Sequence, residues 1–196
     1  MIGKGKSISH GVAALEYDLA KEIDGQAAAT EIARHELYGC TGAEMVQEMK
    51  PYHIDFPNVK NNCLRFEVSP SIEESATFTD ADWAELGNDF MQRMGLANHQ
   101  YIIIRHSGTE SKKEQAHLHI LANRVSLSGE LYRDNWIGKK ATEAANAIAK
   151  ERNFVQSQDI GKVNKAEIKE AMDGVLKKMQ GFDFTKFKEE LGKRGF

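Results

Sequence analysis

The chain has 196 residues, of which 41% are hydrophobic and 28% charged, with a formal net charge of −3. That composition belongs to an ordinary soluble globular protein, long enough for one well-cored domain with a small helical appendage. No apolar run approaches membrane-spanning length, and the slight acidic balance argues against a uniformly basic nucleic-acid coat.

Charge is uneven along the chain. Residues 1–138 hold 13 Lys/Arg against 20 Asp/Glu, and residues 139–196 hold 13 against 9. A basic second part permits a local phosphate-tracking surface, although a Lys-rich solvated helix face has the same composition. Cys40 and Cys63 share no metal-ligand spacing, which suits a reducing compartment and provides no disulfide framework. The first residues lack the apolar run of a secretion signal, so a cytoplasmic location with no membrane insertion is expected.

In chain order, residues 1–10 are rich in Gly and Lys. Ser9 then reads as the N-cap of a helix with Val12, Leu15 and Leu19 as its apolar stripe and Tyr17 near its border. Residues 30–50 carry a weaker helical pattern, which Gly39 to Gly42 either interrupt or start. Residues 61–69 alternate, placing Leu64, Phe66 and Val68 on one face and Arg65 and Glu67 on the other, until Pro70 ends the strand. Thr79 with Asp82 opens a helix that runs to Gly95. Two strands follow, 101–106 and 117–125, and Gly129 marks a turn. Helices are expected over 141–152, about 165–179 and 184–191. This order predicts an α+β fold: a central antiparallel β-sheet with flanking helices and one sheet face left free for a substrate. The main domain is expected to span 1–155, with a helical C-terminal extension over 156–196.

The two adjacent strands carry the chemistry. His117 and His119 lie two residues apart on a strand and so share a face, with Asn123 farther along that face. A hairpin brings His106, at the exit of the preceding strand, opposite His117 or His119. Three imidazoles leave open positions on a divalent metal, which suits catalysis better than a closed structural site. Nitrogen donors favour Mn²⁺, Zn²⁺, Co²⁺ or Ni²⁺ over Mg²⁺. Such a metal polarises a phosphoryl oxygen or generates hydroxide, and the first use needs a separate nucleophile. A tyrosine serves for a phosphodiester. Tyr17, Tyr38, Tyr52, Tyr101 and Tyr132 are the candidates, and residue chemistry does not choose among them.

The segment from Gln100 to His106, followed by His117-Leu-His119-Ile-Leu-Ala-Asn123-Arg124-Val125, resembles the histidine motif of HUH endonucleases. More narrowly it is similar to the mobilisation relaxases of plasmids and of conjugative or mobilisable transposons, especially those of Bacteroides-type elements. The likeness extends to Met1-Ile-Gly-Lys-Gly-Lys-Ser with its downstream tyrosine, to Ser69-Pro70, to Met94-Gly95 and to the Asp134–Lys140 segment. Phe184–Phe196 resembles a short module that often follows the relaxase core, so a longer natural protein is compatible with the likeness. The resemblance implies Tyr17 as nucleophile and His106, His117 and His119 as metal ligands. Asn123 and Arg124 are candidates for positioning the DNA or the metal site, and Lys139, Lys140 and the basic helices beyond for tracking DNA phosphates. The family commonly carries an acid two residues after the first motif histidine, where this chain has Gly108. Glu67 is the first replacement, followed by Glu110 and Glu114.

Residue chemistry and resemblance together lead to a DNA relaxase. Such an enzyme nicks single-stranded DNA at an origin of transfer through a 5′-phosphotyrosine, with metal assistance, and rejoins it for conjugative mobilisation. Accessory mobilisation proteins are the implied partners. The alternatives are a replication-initiator nuclease of the same chemistry, a hydrolase using metal-activated water, and a non-catalytic DNA-binding module.

Overall fold

The computed structural model describes residues 1–109 and 115–195. Glu110 and Glu114 lie outside the described residues, as do Lys112 and Lys113 of the same connection. The chain forms two compact units, Met1–Val155 and Gln156–Phe196.

The first unit begins with strand β1 (Ile2–Ile8), helix α1 (Gly11–Leu19) and a small hairpin, β2 (Glu22–Ile23) and β3 (Gln26–Ala27). Asp24 and Gly25 turn that hairpin with φ of 54° and 74°, the left-handed pair that matches strand twist. Strand β4 (Ala29–His35), helix α2 (Gly42–Met49), a 3₁₀ turn (Lys50–His53) and strand β5 (Cys63–Ser69) follow. Then come α3 (Ile72–Ser75), α4 (Asp80–Arg93), β6 (His99–His106), β7 (His117–Ser126) and α5 (Ile137–Glu151).

Five strands pair antiparallel in the order β1-β5-β7-β6-β4. On one face, α4 and α5 pack through Trp83, Leu86, Phe90, Ala141, Ala145 and Ile148 onto Phe66, Ile103, Leu118 and Ile120. On the other, α1 and α2 pack through Leu15, Met45 and Met49 onto Cys63, Ile102, Ile104 and Leu121. The expectation of a free sheet face is therefore corrected. Helices lie against β4, β6 and β7 on both sides, yet the histidine-bearing ends of β6 and β7 still face a cleft, and the β1–β5 part of the second face stays open, where Lys4 and Lys6 are exposed.

Two further expectations are revised, and residues 1–10, which carried none, gain an assignment. The Gly/Lys-rich start is an edge strand, because Gly3 and Gly5 are the small residues that let α5 lie against it. A Cβ on Gly3 would come 2.4 Å from the Ala141 carbonyl oxygen. The helical pattern over 30–50 divides into strand β4 and helix α2, the latter opened by a capping box between Thr41 and Glu44. Helix α1 is capped at His10 without a side-chain bond, and its buried face is Gly11, Ala14, Leu15 and Asp18, leaving Val12 exposed. A capping box of Thr79 with Asp82 opens α4 as expected.

The second unit is helical: α6 (Ser157–Leu176) and α7 (Phe184–Gly192). Asp183 caps α7 by accepting from the Thr185 and Lys186 amides at 2.9 and 3.1 Å. Arg194 donates to the Ala171 carbonyl at 3.3 Å. No helix among the described residues is long and apolar enough to cross a membrane.

Candidate metal centre and nucleophile cleft

Antiparallel pairing of β6 and β7 sets His106 directly opposite His117, and Ile104 opposite His119. Side chains of His117 and His119 share a face, so the three rings converge, with centroids 4.4 to 5.3 Å apart. One ligand atom from each lies within 4.8 Å of the others. His117 Nε2 and His119 Nε2 are 3.2 Å apart.

Outer contacts fix two ring protons. A carbonyl oxygen only accepts, so His106 Nε2, 2.8 Å from the Asp18 carbonyl, carries a hydrogen and leaves Nδ1 its lone pair. By the same reasoning His117 Nδ1 donates to the Gln115 carbonyl at 2.9 Å, which leaves Nε2 its lone pair. Burial lowers the pKa of His106, against the pull of the Asp18 carbonyl and charge. His119 is pushed down to about 2, by burial first and then by His106, His117, Arg65 and Lys4 around it. Converging imidazoles, two of them buried and the third half-buried, form a donor set that fits a divalent cation of borderline softness.

The histidines form one wall of a cleft of about 520 Å³ that is also lined by Tyr17, Lys21, Glu67, Ser69, Gly108, Thr109 and Gln115. Tyr17 is 60% exposed and projects from α1 beside its buried neighbour Asp18, with Lys21 Nζ 5.7 Å from its ring centre. The other tyrosines do not line this cleft. Tyr101 lies in the core and donates to Asn88, Tyr132 sits beneath Lys140, and Tyr38 is exposed elsewhere.

Glu67 stands opposite His119 on β5, on the cleft face, and its Oε1 is 2.8 Å from Lys4 Nζ. Among the described residues, the acid closest to the histidines is one that the sequence alone did not single out. Asp18 is 1% exposed, and its Oδ1 lies 3.8 Å from His119 Nδ1. Arg65 grips it twice, Nη2 to Oδ1 at 2.5 Å and Nε to Oδ2 at 3.1 Å, and also places Nη2 3.4 Å from His119 Nδ1. Burial pushes the Asp18 carboxyl up, against the opposing pull of Arg65 and the histidines. Helical spacing carried the missed signal: Asp18 follows Gly11, Ala14 and Leu15 at the positions of one buried face.

The four expected DNA-positioning residues are not brought to the cleft. Asn123 is fully buried, donating to the Met49 carbonyl and to Gln100, and accepting from His53 Nε2 at 2.7 Å and the Val125 amide at 3.1 Å. Its hydrogen-bonding capacity is consumed inside the fold. Arg124 is tied to Asp134 at 2.7 Å and to the Asn61 and Tyr132 carbonyls. Lys139 and Lys140 begin α5, which packs on the sheet face opposite the histidines. Lys140 donates to the Arg133 carbonyl, whereas Lys139 is exposed with Glu143 3.8 Å away.

A family model described as Relaxase: MobA/VirD2-like, nuclease domain matches residues 17–154. Comparison with curated protein sequences finds no match. Among solved structures, the chain is similar to the conjugative relaxase TrwC in its metal-bound complex with oriT DNA. Identity there is 11% and the TM-score 0.47, over 97% of this chain and 89% of that one. With the family model spanning most of its length, the chain belongs to the MobA/VirD2-like relaxases, as a relaxase nuclease domain.

Proposed function

We propose that this relaxase domain nicks and rejoins single-stranded DNA at an origin of transfer, with Tyr17 as the nucleophile. The observation that carries this reading is the placement of an exposed tyrosine in the same cleft as three converging histidines. The Tyr17 hydroxyl oxygen bonds to the scissile phosphorus, the bond from phosphorus to the 3′ oxygen breaks, and that oxygen leaves as the 3′-hydroxyl after taking up a proton. The product is a 5′-phosphotyrosine, close in energy to the diester consumed, so the reverse attack reseals the strand. Glu67, on the cleft wall opposite His119, receives the phenolic proton.

His106, His117 and His119 would hold a divalent cation, which when bound would supply Lewis-acid neutralisation of charge on the phosphoryl oxygens. The all-nitrogen donor set suits Mn²⁺, Zn²⁺, Co²⁺ or Ni²⁺ better than Mg²⁺. Lys6 and Lys21 present positive charge at the cleft and at the adjoining open face of β1–β5, where a DNA backbone would run. The nuclease occupies Met1–Val155, accessory mobilisation proteins are the further partners, and the setting is the cytoplasm.

The test is incubation with single-stranded origin DNA of the host element and Mn²⁺, read on a denaturing gel. A retarded protein–DNA band that Tyr17→Phe abolishes is the expected result. A band that survives Tyr17→Phe overturns the nucleophile. Turnover without any covalent band, unchanged by Tyr17→Phe, points instead to hydrolysis by metal-activated water.

A further inference from the structure

We infer that Asp18 is a positioning residue of the metal centre, coupling the histidine cluster to the helix that bears Tyr17. The inference rests on the reading that the three histidines hold a metal.

Asp18 reaches two of the three rings by different atoms. Its main-chain carbonyl accepts from His106 Nε2 at 2.8 Å, so the backbone of α1 sets that ring's tautomer. Its carboxylate faces His119 Nδ1 at 3.8 Å. For His119 to offer Nε2 to a cation, its hydrogen must sit on Nδ1, and a carboxylate beside Nδ1 favours that form. Arg65 favours the opposite form. Its Nη2 lies 3.4 Å from the same Nδ1 and donates only to a lone pair, which places the His119 hydrogen on Nε2, 3.2 Å from His117 Nε2. Asp18 and Arg65 therefore pull the His119 proton to opposite sides of the ring, and Asp18 holds the metal-ready side. Because residue 18 follows Tyr17 on α1, the contacts that orient the ligands also anchor the turn of helix carrying the nucleophile. Neither Glu67, bound to Lys4, nor Gly108 makes a contact of this kind in the structure.

The test uses the whole chain and Mn²⁺ alone. Titration calorimetry compares the natural chain with Asp18→Asn, Arg65→Gln and the double variant, each checked by circular dichroism melting. Asp18→Asn keeps the shape and the main-chain bond to His106 but removes the charge, and Mn²⁺ binding is expected to weaken about 10- to 100-fold. Arg65→Gln removes the competitor and is expected to bind at least as tightly as the natural chain. The double variant leaves no unpaired buried charge, so it serves where Asp18→Asn alone fails to fold, and it is expected to bind more weakly than Arg65→Gln. In metal-free protein, ¹⁵N-histidine spectra should show the share of His119 with hydrogen on Nδ1 falling from the natural chain to Asp18→Asn. Equal Mn²⁺ affinity and an unchanged His119 tautomer in Asp18→Asn would overturn the inference while leaving the metal reading in place. A natural chain that takes up no Mn²⁺ overturns both.

Discussion

At the scale of single residues, buried polar side chains separate into those that shape the cleft and those that hold the fold. His106, His117 and His119 were legible because strand alternation and hairpin pairing are geometric rules that need no knowledge of the core. Asp18 was not, since a charged residue on a helix is ordinarily assigned to the solvent side. Here Gly11, Ala14 and Leu15 define a buried face that carries it inward, and Arg65 on a neighbouring strand satisfies it. Asn123 is the opposite case. It shares the histidine face, but four hydrogen bonds show it to be an internal connector between β7, the 3₁₀ turn and β6. The same network contains His53 and His99, whose pKa values burial lowers. Lowered folded values mean that the unfolded chain binds more protons below about pH 6.5, so stability is full above that pH and declines as pH falls toward the folded values. Melting temperature is therefore expected to drop between pH 7.5 and 5. In His99→Gln, where one of these groups no longer titrates, the drop should be shallower. An equally steep drop in that variant would remove His99 from the account.

Among elements, the central strands and α4 were readable because each carries one clear signal, alternation or a capping box. Strand β1 was missed for a physical reason. Its inward positions are Gly3, Gly5 and Ser7, so it shows no apolar alternation, and the small side chains exist to admit α5. Thr142 donates to the Gly3 carbonyl at 3.1 Å, and α5 otherwise meets this strand through Ala141 and Ala145. Strand β4 was mistaken for helix because Ala, Glu and Arg favour helices, yet pairing with β6 overrides that preference. The close approach of α5 gives a prediction. In Gly3→Ala the new methyl meets the Ala141 carbonyl oxygen at 2.4 Å and the Ala145 methyl at 2.6 Å, and neither is the far end of a flexible chain. A loss of about 1–3 kcal/mol in denaturant unfolding is expected. Lys4→Ala, on the opposite side of the same strand, should cost under about 1 kcal/mol, since only an exposed ion pair with Glu67 is removed. Equal losses from the two would mean that the strand's inner face is not tightly packed.

For the whole molecule, the first unit closes on itself at its two ends, and this sets where the chain can be divided. The Met1 ammonium donates to the Val155 carbonyl, and Glu74, 4.0 Å from that ammonium, also accepts from the Val155 amide at 2.5 Å. Phe154 reaches back from the end of α5 to Phe78, 6.1 Å between ring centres, and Phe78 in turn meets Trp83 edge-on at 5.1 Å. The sequence expectation places a division at this point, but the charge change at residue 139 and the helical pattern beyond it do not reveal that residues 152–155 belong to the packing of the first unit. A chain ending at Val155 should therefore fold and unfold cooperatively and retain the histidine cluster, which is held by residues before it: Asp18, Arg65 and Gln115. A chain ending at Glu151 loses the Phe154 ring and the partners of Met1 and Glu74, so it should be less stable by about 3 kcal/mol or more, most of it the aromatic side chain. Thermal or urea unfolding of the two chains measures the difference. If they are equally stable, the aromatic contact and the closure of the termini contribute nothing, and the first unit effectively ends with α5.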